Sequence, residues 1–187
     1  MGASLASGSG GIAVLGNLAT AISVITGRFL FAFGGADPHL PLTKLPQLLQ
    51  ADVRPGHTYT VGDLSIGVRV LCALPSVVAA GTIAFAVILL VGVLGRIAAG
   101  RAFEPSVRRR LVLLSAVLVG GGLLQGLLDT AAIAALAVSV DREAVSGLAT
   151  NLPNWPWALI VVGVAVSALG AAFAEGARLK EDAVGVV

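Results

Sequence analysis

Few residues in this sequence have the type and setting to do chemistry, and the sharpest of them is Asp129. It interrupts an otherwise uncharged apolar run from Leu111 to Val140. An ionisable group inside such a run is costly unless it is paired or used, commonly as an ion or proton site. Gln125 precedes it by one helical turn and shares its face. Two roles are open to Asp129. In one it is a step in an ion or substrate pathway. In the other it is structural, exposed at the interface or paired with Arg28, the one charge in the first apolar segment. Counted along each helix from the same membrane face, Arg28 lies about 24 Å deep and Asp129 about 27 Å, so that pair is geometrically permitted.

The remaining titratable residues are weaker candidates. Asp37, His39, Asp52, His57 and Asp63 are dispersed along one loop. None of them has a tight ligand spacing of the HExxH kind, so they read as solvated loop residues, with His39 and His57 offering no more than the generic pH sensitivity of an imidazole. The sequence thus offers no catalytic residue, no metal site and no cofactor site. Cys72 is the single cysteine, inside an apolar run, which excludes an intrachain disulfide. The glycines at 8, 10 and 11 and the triplet Gly120-Gly121-Gly122 are not phosphate loops, because no strand precedes them and no Gly-Lys-Ser/Thr follows. They read as packing positions. So do the small-xxx-small pairs Gly122 with Gly126, Gly163 with Ser167, Ser167 with Ala171, and Gly170 with Ala174, where helices can approach closely.

The elements that must hold these residues follow from composition. The chain has 187 residues, 57% hydrophobic and 12% charged, with mean hydropathy +0.96. A soluble domain carries about 25% charged residues, and a core of this size could not hide so much apolar surface. The net charge of +2 and pI near 9.2 come from arginines and lysines that mostly flank apolar segments. There they meet lipid headgroups, so no direct nucleic-acid contact is expected. Four spans are predicted, at about 12–33, 70–95, 111–133 and 155–175. Residues 2–27 carry no charge, unlike the basic start of a cleaved signal peptide, so the first span is read as retained. Residues 70–95 are uncharged, bracketed by Arg69 and Arg96, and hold Pro75 near one end. Trp155 and Trp157 flank Pro156 like interfacial anchors at the edge of the fourth span. A soluble bundle would need polar helix faces that residues 70–95 lack, and a β-barrel would need alternating segments that do not occur. The predicted fold is all-α: a polytopic membrane protein with four transmembrane helices in a compact bundle.

Charge sets the expected orientation. The 96–110 loop carries Arg96, Arg101, Arg108, Arg109 and Arg110, and basic residues in short loops stay cytoplasmic. That places the N-terminus, this loop and the tail 176–187 in the cytoplasm, with 34–68 as the external loop. Arg108, Arg109 and Arg110 then form a cytoplasmic anchor on anionic headgroups. The Arg, Gly, Ala and Val richness fits a GC-rich bacterial coding bias, hence a bacterial inner membrane. Leu42, Leu45, Leu48 and Leu49 suggest a short interfacial helix in the external loop. Arg96 and Glu175 end their helices at similar depth and could clamp together. The fourth helix is expected to stop around Glu181 and Asp182, leaving Val184, Val186 and Val187 as an apolar tip that either brushes the membrane or docks on a partner.

Two stretches also carry a recognisable pattern. Gly100-Arg101-Ala102-Phe103 with Val107-Arg108-Arg109-Arg110-Leu111 resembles the central-loop signature of an uncharacterised bacterial membrane family, domain-of-unknown-function family 2975. The run from Phe173 to Asp182, with Phe173, Gly176, Leu179 and the acidic pair Glu181-Asp182, is similar to that family's C-terminal signature, although the ending Ala-Val-Gly-Val-Val departs from it. The resemblance implies four spans and no established enzymatic activity, with a hint of a regulatory partnership. The functional expectation is therefore a non-enzymatic membrane protein, regulatory or accessory, whose candidate partners besides the lipid bilayer are further copies of itself and a cytoplasmic regulatory protein. The alternative is a small oligomeric transporter or ion-coupled permease that uses Asp129.

Overall fold

In hydrocarbon every backbone N–H and C=O must be satisfied inside the protein, so an uncharged run of this length folds as a helix. The computed structural model describes residues 2–30, 38–48, 52–53, 59–101, 104–140, 145–146, 153 and 155–184. It has four long helices: α1 (Gly2–Thr26), α2 (Ile66–Ala98), α3 (Pro105–Ser139) and α4 (Trp157–Val184). Each contains a stretch long and apolar enough to cross a bilayer: Gly8–Thr26, Ile66–Ala98, Pro105–Ser139 and Trp157–Gly176. Large apolar side chains stand outward on all four, among them Ile12, Phe85, Ile88, Leu127, Val138 and Val161. Water would oppose that arrangement and lipid favours it. The protein is an all-α, multi-pass membrane protein.

The helix ends are chemically defined. α1 stops at Thr26 because Gly27 takes φ +67. Its N–H bonds to the Val24 carbonyl (3.3 Å) and that of Arg28 to the Ser23 carbonyl (3.2 Å), the paired closure known as a Schellman motif. The expected span to Phe33 runs into residues 31–37, outside the described residues. Arg28 accordingly lies past the end of the helix and not within it. α2 ends in the same way. Gly100 takes φ +75, with its N–H on the Ile97 carbonyl (3.0 Å) and that of Arg101 on the Arg96 carbonyl (3.0 Å). Pro105 then opens α3, where its missing N–H has no partner to lose, and Pro156 stands immediately before α4. α4 continues through the expected stop at Glu181 and Asp182 as far as Val184. Ala, Arg, Leu, Lys and Glu in that stretch are all strong helix formers. The apolar tip at Val186 and Val187 lies outside the described residues.

Contacts divide the chain into two units. The first comprises Met1–Val14, Gly81–Gly122 and Trp157–Val187. Its buried core is Val93 of α2 with Val107 and Leu111 of α3, joined by Val166 and Phe173 of α4. Glycines set the helix spacing here. A Cβ on Gly122 would lie 2.9 Å from Ile160, and one on Gly163 would lie 2.7 Å from Val119. The two glycines thus let α3 and α4 seat against each other reciprocally. Gly121 meets Thr82 of α2, so successive members of the triplet face different neighbours.

The second unit comprises Leu15–Ala80 and Leu123–Pro156. Its core takes Ala21 and Val24 from α1, Cys72 and Ala73 from α2, and Ala132 and Leu136 from α3. Over these pack Leu40, Leu42, Leu45, Leu48, Val61 and Leu64 from the connection between α1 and α2. The connection is laced by backbone bonds: Leu40 N–H to Gly27 O (2.9 Å), Val61 N–H to Leu40 O (2.8 Å) and Leu42 N–H to Tyr59 O (3.1 Å). A two-residue antiparallel ladder, β1 (Asp52–Val53) with β2 (Val145–Ser146), ties it to the α3–α4 connection. The interfacial helix expected over Leu42–Leu49 does not form across Leu42–Leu48, and Leu49 lies outside the described residues. The described segment makes two 3-10 turns, Leu42–Lys44 and Pro46–Leu48, and Leu42, Leu45 and Leu48 point into the core. Pro46 is the cause, since a residue before proline is pushed out of the helical region, and Leu45 has ψ 130.

Candidate functional site

Asp129 sits on the face of α3 that also carries Ala132 and Leu136, and all three are buried in the second unit. A carboxylate removed from water needs hydrogen bonds to replace those it lost. Gln47 supplies one. The second 3-10 turn directs this side chain, only 2% exposed, into the core. Its Nε2 donates to Asp129 Oδ1 (3.0 Å) and to the backbone carbonyl of Cys72 (3.3 Å). An amide nitrogen has two hydrogens, and these two acceptors take one each. One side chain from the connection thereby joins α2 and α3. Pro75, buried one turn further along α2, lacks the N–H that would hold the Leu71 carbonyl, so the helix ladder is loosened beside the carbonyl that receives Gln47.

Other polar groups of the second unit have their own settings. Arg69, near the start of α2, donates from Nη1 to the Ile25 carbonyl in the last turn of α1 (3.4 Å). A cation there also opposes the negative end of the helix dipole. Gln125 has its Oε1 buried without a hydrogen-bond partner among the described residues. Arg28 is exposed and bridges His39 through backbone atoms. Among the described residues no ion pair joins it to Asp129. Asp37 and His57 lie outside the described residues. Asp63 and Thr60 form a local cap: the Thr60 N–H (2.8 Å) and hydroxyl (3.0 Å) both donate to Asp63 Oδ2. The backbone bond, then the hydroxyl, hold the Asp63 carboxyl below its ordinary range, with a smaller contribution from His39.

The first unit has a different polar centre. Glu104, just before α3, accepts from Arg96 Nη1 (3.2 Å) and from the Ser106 hydroxyl (3.0 Å), and forms an ion pair with Arg101 (3.4 Å). Arg96 also donates to Ser106. Arg96 therefore pairs with Glu104 and not with Glu175, which is exposed. The short connection brings Glu104 to Arg96 before α4 can. Of the anchor residues, Arg108 and Arg109 are exposed. Arg110 is half-buried, with its guanidinium over Gly92 of α2.

Comparison with family models, curated proteins and solved structures gives no match to this chain.

Among the described residues no three His, Cys, Asp or Glu side chains converge as a metal site would require. The chemistry on view is an amide holding a carboxylate and a carbonyl, an arrangement that fixes their positions. Sequence reasoning singled out Asp129 but not Gln47, whose only local sign is a polar residue set among Leu45, Leu48 and Leu49. It also missed Glu104 as the hub of the short connection, although Glu104-Pro105-Ser106 carries the composition of a helix start.

Proposed function

We propose that this chain is a non-enzymatic component of a bacterial inner membrane, regulatory or accessory in role, acting through a cytoplasmic protein partner. The observation that carries this reading is the placement of Asp129. This carboxylate of α3 is buried on the face that carries Ala132 and Leu136 and is held by Gln47, an environment suited to bracing helices. The polar surface lies elsewhere, at the α2–α3 connection and the start of α3, where Arg101, Arg108 and Arg109 are exposed. Under the positive-inside rule this connection faces the cytoplasm together with both termini. Affinity purification of the full chain in mild detergent tests the proposal: a soluble protein recovered with the wild type and lost in Arg108→Glu/Arg109→Glu supports it. Recovery of nothing but further copies of the chain, with a bound ion, would overturn it. A periplasm-active reporter fused after Val187 tests the orientation and should stay inactive.

A second reading has one observation in its favour. The buried Gln125 Oε1 lies one helical turn before Asp129 and could face an ion in an oligomeric transporter or ion-coupled permease. That reading expects Asp129→Asn to abolish a transport phenotype at unchanged protein level.

A further inference from the structure

A groove of about 330 Å³ opens beside the last turns of α1 in the second unit. Its walls include Ala19, Ser23 and Val24 of that helix, Phe29 and Leu30 beyond its end, and Lys44 from the first 3-10 turn. Ala19 and Ser23 lie one turn apart, and their small side chains hollow the helix face. Phe29 and Leu30 stay 39% and 42% exposed although they follow the end of a membrane span. Ala19 precedes Thr26 by about 10 Å of helix rise, so the lower part of the groove stands at hydrocarbon depth. Lys44 belongs to the connection beyond the helix end, at headgroup level. It is exposed, and the ion pairs among the described residues, Arg96–Glu104 and Arg101–Glu104, leave it out.

We infer that this groove binds an anionic phospholipid, its phosphate on Lys44 and one acyl chain along Ala19 and Ser23. Three features argue for that occupant. The charge complement is a single cation at the water-facing end. The walls below it are mainly apolar (Ala19, Val24, Phe29, Leu30 and Leu40), with the hydroxyls of Thr20, bonded back to the Gly16 carbonyl, and Ser23 among them, in a span already bathed in lipid. The volume lies at the low end of the range for small-ligand pockets, about 300–1,000 Å³, which accommodates a chain but not a helix of about 10 Å diameter. The site is independent of the regulatory role proposed above, because it uses none of Gln47, Asp129 or the α2–α3 arginines.

Native mass spectrometry of the detergent-solubilised full chain, titrated with phosphatidylglycerol and phosphatidylcholine of identical acyl chains, provides the test. The wild type retains the anionic lipid preferentially. Lys44→Gln lowers that preference about fivefold, the factor one lysine near a lipid surface carries, and Lys44→Arg restores it. Ser23→Leu and Ala19→Leu, which fill the groove, lower retention of both lipids while circular dichroism shows unchanged helix. An unchanged lipid preference in Lys44→Gln would overturn the proposal. So would displacement of the lipid by soluble glycerol phosphate at equal concentration, which assigns the site to phosphate alone. Efficient chain-to-chain cross-linking through Ser23→Cys in a bilayer would give the groove to a second copy and also defeat the proposal.

Discussion

The connections after α1 and after α2 begin identically and then diverge. Each starts with a glycine at positive φ, followed by an arginine whose N–H closes the helix: Gly27-Arg28 in one and Gly100-Arg101 in the other. The longer connection turns its leucines and one glutamine inward and becomes part of the core. The shorter one is held by Glu104 and its arginines, with Arg101 exposed. The same helix terminator therefore serves two ends. A connection that buries apolar surface contributes to stability, whereas one held by part-exposed ion pairs contributes little and leaves its surface available.

Substitutions should separate the two connections by size of effect. Leu45→Ala, at a side chain 1% exposed, should cost about 2–5 kcal/mol, read as thermal unfolding in detergent by circular dichroism. A loss below 1 kcal/mol would mean that the longer connection is not core. Gln47→Leu comes next, at about 2–3 kcal/mol, because it removes a hydrogen bond from a buried carboxylate. Asp129→Leu added to it should recover part of that loss, and strictly additive losses would show that the two side chains do not interact. The two terminator glycines give the sharpest comparison. An alanine at either must adopt left-handed backbone, at about 1–2 kcal/mol. At Gly27 its Cβ would also lie 2.9 Å from the Gly62 Cα, whereas at Gly100 it meets nothing within 4 Å. Gly27→Ala should therefore be clearly the more destabilising, and equal losses would contradict the packing of Gly62. Glu104→Gln should cost less than about 1 kcal/mol and lose its effect in high salt. The smallest effect belongs to Asp63. Its folded carboxyl titrates below the unfolded one, so its contribution is present at neutral pH and is lost as the pH falls below about 4. Asp63→Asn should flatten that acid limb of the stability profile, and an unaltered limb would show that the Thr60 cap has no thermodynamic weight.

The spans were legible in the sequence because hydrocarbon leaves an uncharged run one choice of structure. Of the small-residue pairs, Gly122, Gly126 and Gly163 do sit against neighbouring side chains, whereas Ser167 and Ala171 stand exposed, because spacing alone does not say which face of a helix is covered. The end of α1 was harder to read. Phe29-Leu30-Phe31 continues the apolar run past Gly27, and hydropathy cannot see a change in the sign of φ. The leucines at 42, 45 and 48 show helical spacing, yet Pro46 between them converts the segment to 3-10 turns and sends them inward. Asp129 could be flagged from its own neighbours. Gln47 could not, because its partner lies 82 residues away. Arg28 was the natural guess for a counter-charge by depth, but depth along a helix says nothing about a residue that has already left it.

The ladder between Asp52–Val53 and Val145–Ser146 has a consequence for biogenesis. One of its strands is made only after α3 has been synthesised, and of the two acceptors for Gln47 the carboxylate arrives on α3 itself. As the chain emerges, α1 and α2 can enter the bilayer with their connection still unclosed on its inner side. The leucines can gather early on Ala21, Val24 and Cys72, but the polar seal must wait for the third helix. Final closure of that connection thus waits on α3 and the strand that follows it, which supply Asp129 and the partner of Asp52–Val53.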